Sequence, residues 1–272
     1  MKGFCPLASG SKGNAIYVGS GKTKILIDAG ISATQIEKRL ATIGVSLDEI
    51  DAVIVTHEHT DHIQGIAGIA ARGIPVFANS DTAKALMTTL KKRPRFKIFS
   101  TGETFEFGDL EIHPFTIQHD TLDPVGFTIQ VEGVKLGICA DIGFVTTLVT
   151  NRLQGCDYLY VEANHQPSMV HSSSRPMVYK QRVLSRQGHL SNEECAELLC
   201  HIAHKGLKHV YLAHLSQECN SEDLALKIIS EKLAVHGIPL NISIAYQERV
   251  SLFLDFEESL KGDCHEPCVP VL

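Results

Sequence analysis

The sequence predicts a layered α/β domain. Short apolar runs bounded by polar or glycine residues recur along its length and read as buried strands. Stretches with helical periodicity separate several of these runs. Histidine or aspartate also recurs just past the ends of predicted strands, where layered folds build their sites. Residues 52–55 precede His57, 112–117 precede His119, 136–140 precede Asp141, and 210–213 precede His214.

The elements follow in order. Residues 15–18 and 24–28 flank the turn Gly19-Ser20-Gly21, as in a hairpin. Residues 32–43 place Ile36, Leu40 and Ile43 on one helical face. Residues 51–55 return to strand, 64–71 to helix, 75–78 to strand and 81–92 to helix. Gly108-Asp109 turns between strands 104–107 and 110–117, and Glu132-Gly133 between strands 126–131 and 134–140. Residues 158–161 form an apolar strand. Ser191 opens a helix to about residue 205, its hydroxyl capping a backbone N–H while Glu194 reaches back to the cap. Residues 221–235 are helical, and 242–246 and 250–254 are strands. No repeat or linker divides them, so one domain is expected over 1–256, followed by a flexible tail over 257–272.

Composition narrows the class. At 44% hydrophobic and 21% charged, the chain reads as an ordinary globular protein. No apolar run reaches the roughly 18 residues that cross a bilayer, and no signal-type segment opens it, so a cytoplasmic location and no membrane partner are expected. The eight cysteines are expected to be reduced thiols, and Cys264-His265-Glu266-Pro267-Cys268 to be a frayed tail rather than a chelator. A net charge of −6 gives no global attraction to nucleic acid. Two segments are locally basic. Residues 91–97 hold five basic side chains in seven, and 165–188 hold Arg175, Lys180, Arg182 and Arg186 with no acid.

The central signal is His57-Glu58-His59-Thr60-Asp61-His62. Imidazole and carboxylate suit zinc and similar divalent ions. A loop leaving a strand can turn His57 and His59 toward one ion, and Asp61 and His62 toward a second. This order of motifs resembles the metallo-β-lactamase superfamily. Asp28, in Ile25-Leu26-Ile27-Asp28-Ala29-Gly30, resembles its acidic residue ending an early strand. His119 resembles the next histidine ligand, Asp141 the bridging carboxylate and His214 the last histidine. The resemblance implies an αββα sandwich of two mixed sheets with helices outside. It implies His57, His59 and His119 on one ion, Asp61, His62 and His214 on the other, and Asp141 between them. His59 stands where the redox di-iron branch carries a carboxylate, which favours hydrolysis. Cofactors are thus expected to be two divalent ions, Zn or Mn.

Further motifs resemble the YycJ (WalJ/VicX) family within that superfamily. They are Leu7-Ala8-Ser9-Gly10-Ser11-Lys12-Gly13-Asn14, Val161-Glu162-Ala163-Asn164-His165, Lys180-Gln181-Arg182-Val183-Leu184-Ser185 and Gly188-His189-Leu190-Ser191-Asn192. The last is similar in placement to the histidine motif of ribonuclease Z, whose histidine assists the leaving group. Family members are regarded as nucleases, so the resemblance implies phosphodiester substrates, DNA before RNA, and exonucleolytic cleavage. Chemistry agrees, because a phosphodiester is a poor electrophile with a basic leaving group. Two cations about 3.5–4 Å apart hold nucleophile and phosphoryl oxygen together and make hydroxide available near neutral pH. Asp61 is expected to orient that nucleophile and His189 to protonate the departing oxygen, with Glu162 orienting His189. Ser9, Asn14, Lys180 and Arg182 are expected to meet substrate, the first two through the glycine-rich turn. Two other readings stand beside this one. One is a small-molecule hydrolase, such as a thioesterase or cyclic phosphodiesterase, on the same metals. The other is a non-catalytic regulatory module.

Overall fold

A computed structural model describes residues 1–90 and 94–256. Lys91, Lys92 and Arg93 of the first basic segment, and the tail over 257–272 with Cys264 and Cys268, lie outside the described residues. Strands β1 (Gly3–Ala8), β2 (Ala15–Gly19), β3 (Lys24–Ile27), β4 (Ala52–Ile54), β5 (Val76–Ala78) and β6 (Phe96–Ile98) come first. Strands β7 (Phe105–Phe107), β8 (Leu110–Thr116), β9 (Val125–Val131) and β10 (Val134–Cys139) follow, then β11 (Tyr158–Glu162), β12 (His209–Ala213), β13 (Ile242–Ile244) and β14 (Leu254–Asp255). They form two mixed sheets, in the orders β14-β1-β2-β3-β4-β5-β6 and β13-β12-β11-β10-β9-β8-β7.

The helices are α1 (Ala33–Thr42), α2 (Thr60–Ile63), α3 (Ile66–Ala70), α4 (Ser80–Thr89), α5 (Thr147–Leu153), α6 (Pro167–Ser172), α7 (Met177–Val183), α8 (Asn192–Ile202) and α9 (Glu222–Val235). Three apolar clusters show the layering. Phe4, Ile25, Ile27, Phe127, Ile129 and Tyr211 join the facing sides of the two sheets. Leu26 and Val53 pack outward with Ile36 and Leu40 of α1 and Leu86 of α4. Leu159 and Leu212 pack outward with Val149 of α5, Leu199 of α8 and Ile229 of α9. Ile25 and Leu26 face opposite ways because side chains alternate along a strand. The fold is the αββα sandwich of two mixed sheets expected from the motifs.

Local differences have physical causes. The helix expected over 64–71 is shortened to α3 (Ile66–Ala70), and the chain turns at Gly65 between it and the single turn α2. Gly65 donates its N–H to the Ala29 carbonyl at 2.7 Å, and a Cβ there would lie 2.3 Å from the Ile31 carbonyl oxygen. The strand β1 holds Pro6, which lacks an N–H. It is tolerated because β14 pairs only with Gly3 and Phe4 of that strand. The strand expected over 250–254 shrinks to β14, and Ser251 instead donates to the Pro6 carbonyl.

Candidate metal centre

The sheets deliver the polar residues to one rim. Asp28 follows β3, the segment from Thr56 to His62 follows β4, His119 follows β8, Asp141 follows β10 and His214 follows β12. Three of these residues have left-handed backbone: Asp28 at φ 61°, Asp141 at φ 55° and His214 at φ 53°. Such conformations cost about 1–3 kcal/mol each and persist where surrounding bonds fix them. Here those bonds are visible. Asp28 Oδ1 accepts the Thr56 N–H at 2.8 Å, and Asp28 Oδ2 accepts the Thr56 hydroxyl at 2.9 Å. The His214 N–H is donated to Ser9 Oγ at 2.8 Å. Sequence reading missed this strain. Its one local signal is residue type, because aspartate and histidine are enriched among left-handed non-glycine positions.

The Thr56–His62 loop is braced from below. The Asp61 carbonyl accepts the Asn14 N–H at 2.7 Å, and a Cβ on Gly30 would stand 1.6 Å from that same oxygen. Only glycine permits this approach. The single turn α2 then carries Asp61 and His62 on one short segment.

The side chains converge in overlapping sets. His57, His59 and His119 form one, Asp61, His62 and His214 another, and His57, His62 and Asp141 a set spanning both. Within each set, one ligand-type atom per residue lies within 4.8 Å of the others. His119 Nε2 is 3.2 Å from His59 Nδ1. His214 Nε2 is 3.5 Å from both Asp61 Oδ2 and Asp141 Oδ1. His62 Nε2 stands 2.9 Å from Asp141 Oδ2, close in distance but without hydrogen-bond alignment. His57 Nε2, His214 Nε2 and Asp141 Oδ2 are buried with no hydrogen-bond partner among the described residues. Leaving such atoms unmet costs about 1–3 kcal/mol each, more for charged groups.

The opposite ring nitrogens are occupied. His62 Nδ1 bonds Asp28 Oδ2 at 2.7 Å, His119 Nδ1 bonds the Gly188 carbonyl at 3.1 Å, and His214 Nδ1 bonds Glu162 Oε1 at 3.1 Å. This hydrogen-bond pattern assigns a proton to each Nδ1 and turns each Nε2 lone pair toward the cluster, as at histidine metal sites generally. There His62 Nε2 meets Asn14 Nδ2 at 3.1 Å, His119 Nε2 meets His59, and His214 Nε2 has no partner among the described residues. The donor set fits two divalent ions.

Electrostatics point the same way. Burial disfavours a charged His57, and the imidazoles of His62, His119 and His59 add to that, holding it well below the usual histidine range. Burial also opposes charge on His62 and His214. The carboxylates of Asp28 and Asp141 around His62, and of Asp141, Asp61 and Glu162 around His214, outweigh it and lift both well above that range. The pocket thus draws positive charge into its floor, as protons or as metal.

His189 stands beside this cluster. Its ring stacks on His214 with centroids 5.2 Å apart, and its Nδ1 donates to Glu162 Oε1 at 2.8 Å. Glu162 is fully buried and accepts four hydrogen bonds. Oε1 takes His189 and His214, and Oε2 takes the N–H of Ile142 at 2.8 Å and of Leu190 at 3.2 Å. Burial would raise its pKa, but His189 and His214 outweigh that and hold it down at about 2.

A cavity of about 530 Å³ opens over the cluster, lined by His59, Asp61, His119, Asp141, His189 and His214 on its floor. Arg182 lines it, paired to Asp120 through Nε–Oδ2 at 2.5 Å and Nη2–Oδ1 at 3.1 Å. Lys180 does not line it, and gives its ammonium to the His171 carbonyl at 2.7 Å. Ser9 and Asn14 are buried behind the wall. Ser9 Oγ shares a 2.7 Å bond with the Tyr160 hydroxyl, and Asn14 Oδ1 accepts the Gly10 N–H at 2.8 Å. The N–H groups of Ser9, Gly10, Lys12, Gly13 and Asn14 are all donated within the protein. The turn therefore braces the site instead of offering these groups to a phosphate. Ser11, Lys12, Gln217 and Glu218 line the cavity and were not singled out from sequence.

Residues 23–215 match the Beta-lactamase superfamily domain. The chain belongs to the metallo-β-lactamase superfamily. Within it, the chain is on the YycJ/WalJ-like branch. It is 34% identical over 237 residues to "Exodeoxyribonuclease YycJ" of Bacillus anthracis, covering 86% of this chain and 90% of that protein. It is 36% identical over 233 residues to "Exodeoxyribonuclease WalJ" of Streptococcus pneumoniae, covering 84% and 87%. Among solved structures, the metallo-β-lactamase fold protein YhfI from Bacillus subtilis superposes with a TM-score of 0.68 at 16% identity, covering 92% of this chain and 99% of that one. The fold and the relatives make this chain a metal-dependent hydrolase with a binuclear centre, homologous to exonucleases. No helix among the described residues is long and apolar enough to cross a membrane.

Proposed function

We propose that the chain is a two-metal exonuclease acting on DNA. His57, His59 and His119 would hold one ion and Asp61, His62 and His214 the other, with Asp141 between the two sets. The ions are Zn or Mn, both of which accept histidine and carboxylate. When bound, they lower the pKa of water to about 7 and offset charge building on the phosphoryl oxygens.

The chain's own residues do the rest. Asp61 orients the attacking water. His189 donates a proton to the departing oxygen. Glu162 fixes the His189 ring through Nδ1, which leaves Nε2 for the departing oxygen. Arg182 and Arg175 meet phosphates at the cavity mouth once substrate displaces Asp120 and Glu218 from them.

The observation that carries this reading is the Glu162–His189 pair beside converging ligand atoms in one cavity. Metals alone suit many hydrolyses, whereas a held imidazole beside them suits a poor leaving group. The two relatives named exodeoxyribonucleases supply the preference for DNA over RNA and for cleavage from an end. End-labelled single- and double-stranded DNA and RNA, incubated with protein reloaded with Mn or Zn, test it. Release of nucleotides from DNA ends is expected. Metal-loaded protein that leaves every strand intact would reject the reading.

A further inference from the structure

A second cavity, of about 430 Å³, adjoins the first. Ser216 and Gln217 line both. Ser9 lies in its wall and accepts the His214 N–H, so this groove begins one residue from the metal centre. Its size lies within the roughly 300–1,000 Å³ range of small-molecule sites.

Its chemistry differs from that of the first cavity. Arg249 lies over the ring of Tyr246, with its guanidinium carbon 3.8 Å from the ring centroid. Tyr246 is half-buried against the core and Arg249 is exposed. The ring therefore holds a planar guanidinium with its outer face open. Arg175, Arg182 and Lys12 at the first cavity are each paired with a carboxylate. Among the described residues, none pairs with Arg249. Glu222 and Glu248 also line the groove, so it does not attract backbone phosphate. Ser216 and Gln217 offer neutral polar groups there. An open guanidinium plane on an aromatic ring, beside neutral polar groups, suits a nucleobase, since bases stack on aromatic rings and on arginine planes.

We infer that this groove is a nucleobase subsite for the nucleotide next to the scissile phosphodiester, with the Tyr246–Arg249 pair as its stacking platform. The inference rests on the nuclease reading above. It gives the strand a path from the metals over the Ser216–Gln217 divide. The neighbouring base is thus unstacked, so the subsite takes single-stranded ends.

The test compares kcat/KM on a short oligothymidylate with kcat/KM on bis(p-nitrophenyl) phosphate, which carries no base, using the full metal-loaded chain. Loss of one base stack is worth roughly 5- to 150-fold. Tyr246→Ala and Arg249→Ala are each expected to lower the oligonucleotide-to-ester ratio by that factor, and Tyr246→Phe to keep it. Because Arg249 is exposed, its variant answers even if Tyr246→Ala folds poorly. A wild-type ratio in Arg249→Ala, or in folded Tyr246→Ala, overturns the subsite while leaving the nuclease reading intact. Wild-type protein that hydrolyses the ester but no oligonucleotide overturns both.

Discussion

Replacing Glu162 by glutamine changes one atom and is expected to impair the centre in two ways. Glu162 Oε2 serves the backbone N–H groups of Ile142 and Leu190, which can only donate. A glutamine must turn its oxygen to them, so its NH2 faces the Nδ1–H of His189 and of His214. Two hydrogen bonds to a charged acceptor are lost, at about 1.5–3 kcal/mol each. Both rings must then move their proton to Nε2, or turn away. For His214 that removes the lone pair assigned to a metal, and loss of such a supporting contact weakens binding by about 10–100-fold. For His189 it removes the acceptor that holds the ring in place, and loss of positioned proton transfer costs about 10²–10⁴ in rate. Competition with a chromophoric chelator reads the first effect, and kcat on end-labelled DNA at saturating metal reads the second. Wild-type metal affinity together with wild-type kcat would refute the role given to Glu162.

Three further outcomes follow from the same geometry. His189→Ala should retain its metals and lose about 10²–10⁴ in kcat; full turnover in metal-loaded variant would remove His189 from the reaction. Arg182→Ala should flatten the salt dependence of single-stranded DNA binding by about 0.7 in log–log slope, as expected for one phosphate contact, whereas Lys180→Ala should leave the slope alone; an unchanged slope for Arg182→Ala would place its guanidinium off the strand. His209, away from the centre, is held by burial at a pKa of about 4, below the ordinary 6.5. The unfolded chain therefore binds the extra proton first, and stability falls as pH drops from about 6.5 to about 4, by about 3 kcal/mol in all. Denaturant melts of His209→Gln across that window should show a shallower fall than the wild type, and parallel curves would contradict this.

The metal cluster was legible because its core is local. Three histidines and an aspartate lie within six residues after an apolar strand, and no packing argument is needed to see that they share a neighbourhood. His119, Asp141 and His214 were assigned through resemblance, and only the strand order brings them to the same rim. The joint hold of Glu162 on His189 and His214 was out of reach. It depends on β11 lying beside β12 and on the loop before α8 folding back over both. Helices α6 and α7 escaped notice because they are short and begin without a side-chain cap. The bracing bonds of the Ser9–Asn14 turn were out of reach for a related reason. A glycine-rich turn that cradles a ligand and one that braces a neighbouring loop look alike until the partners of their N–H groups are known. Tyr246 and Arg249 are three residues apart in sequence, yet their ring contact and the open groove beside them are properties of the fold.

The central claim is that two ions, held by the converging histidines and aspartates, act together on a phosphodiester. Titrating metal-free protein with Mn while recording cleavage of end-labelled DNA against the metal equivalents bound per chain tests it most directly. Activity is expected to stay low through the first equivalent and to rise with the second. Full cleavage at one equivalent or fewer would contradict the claim.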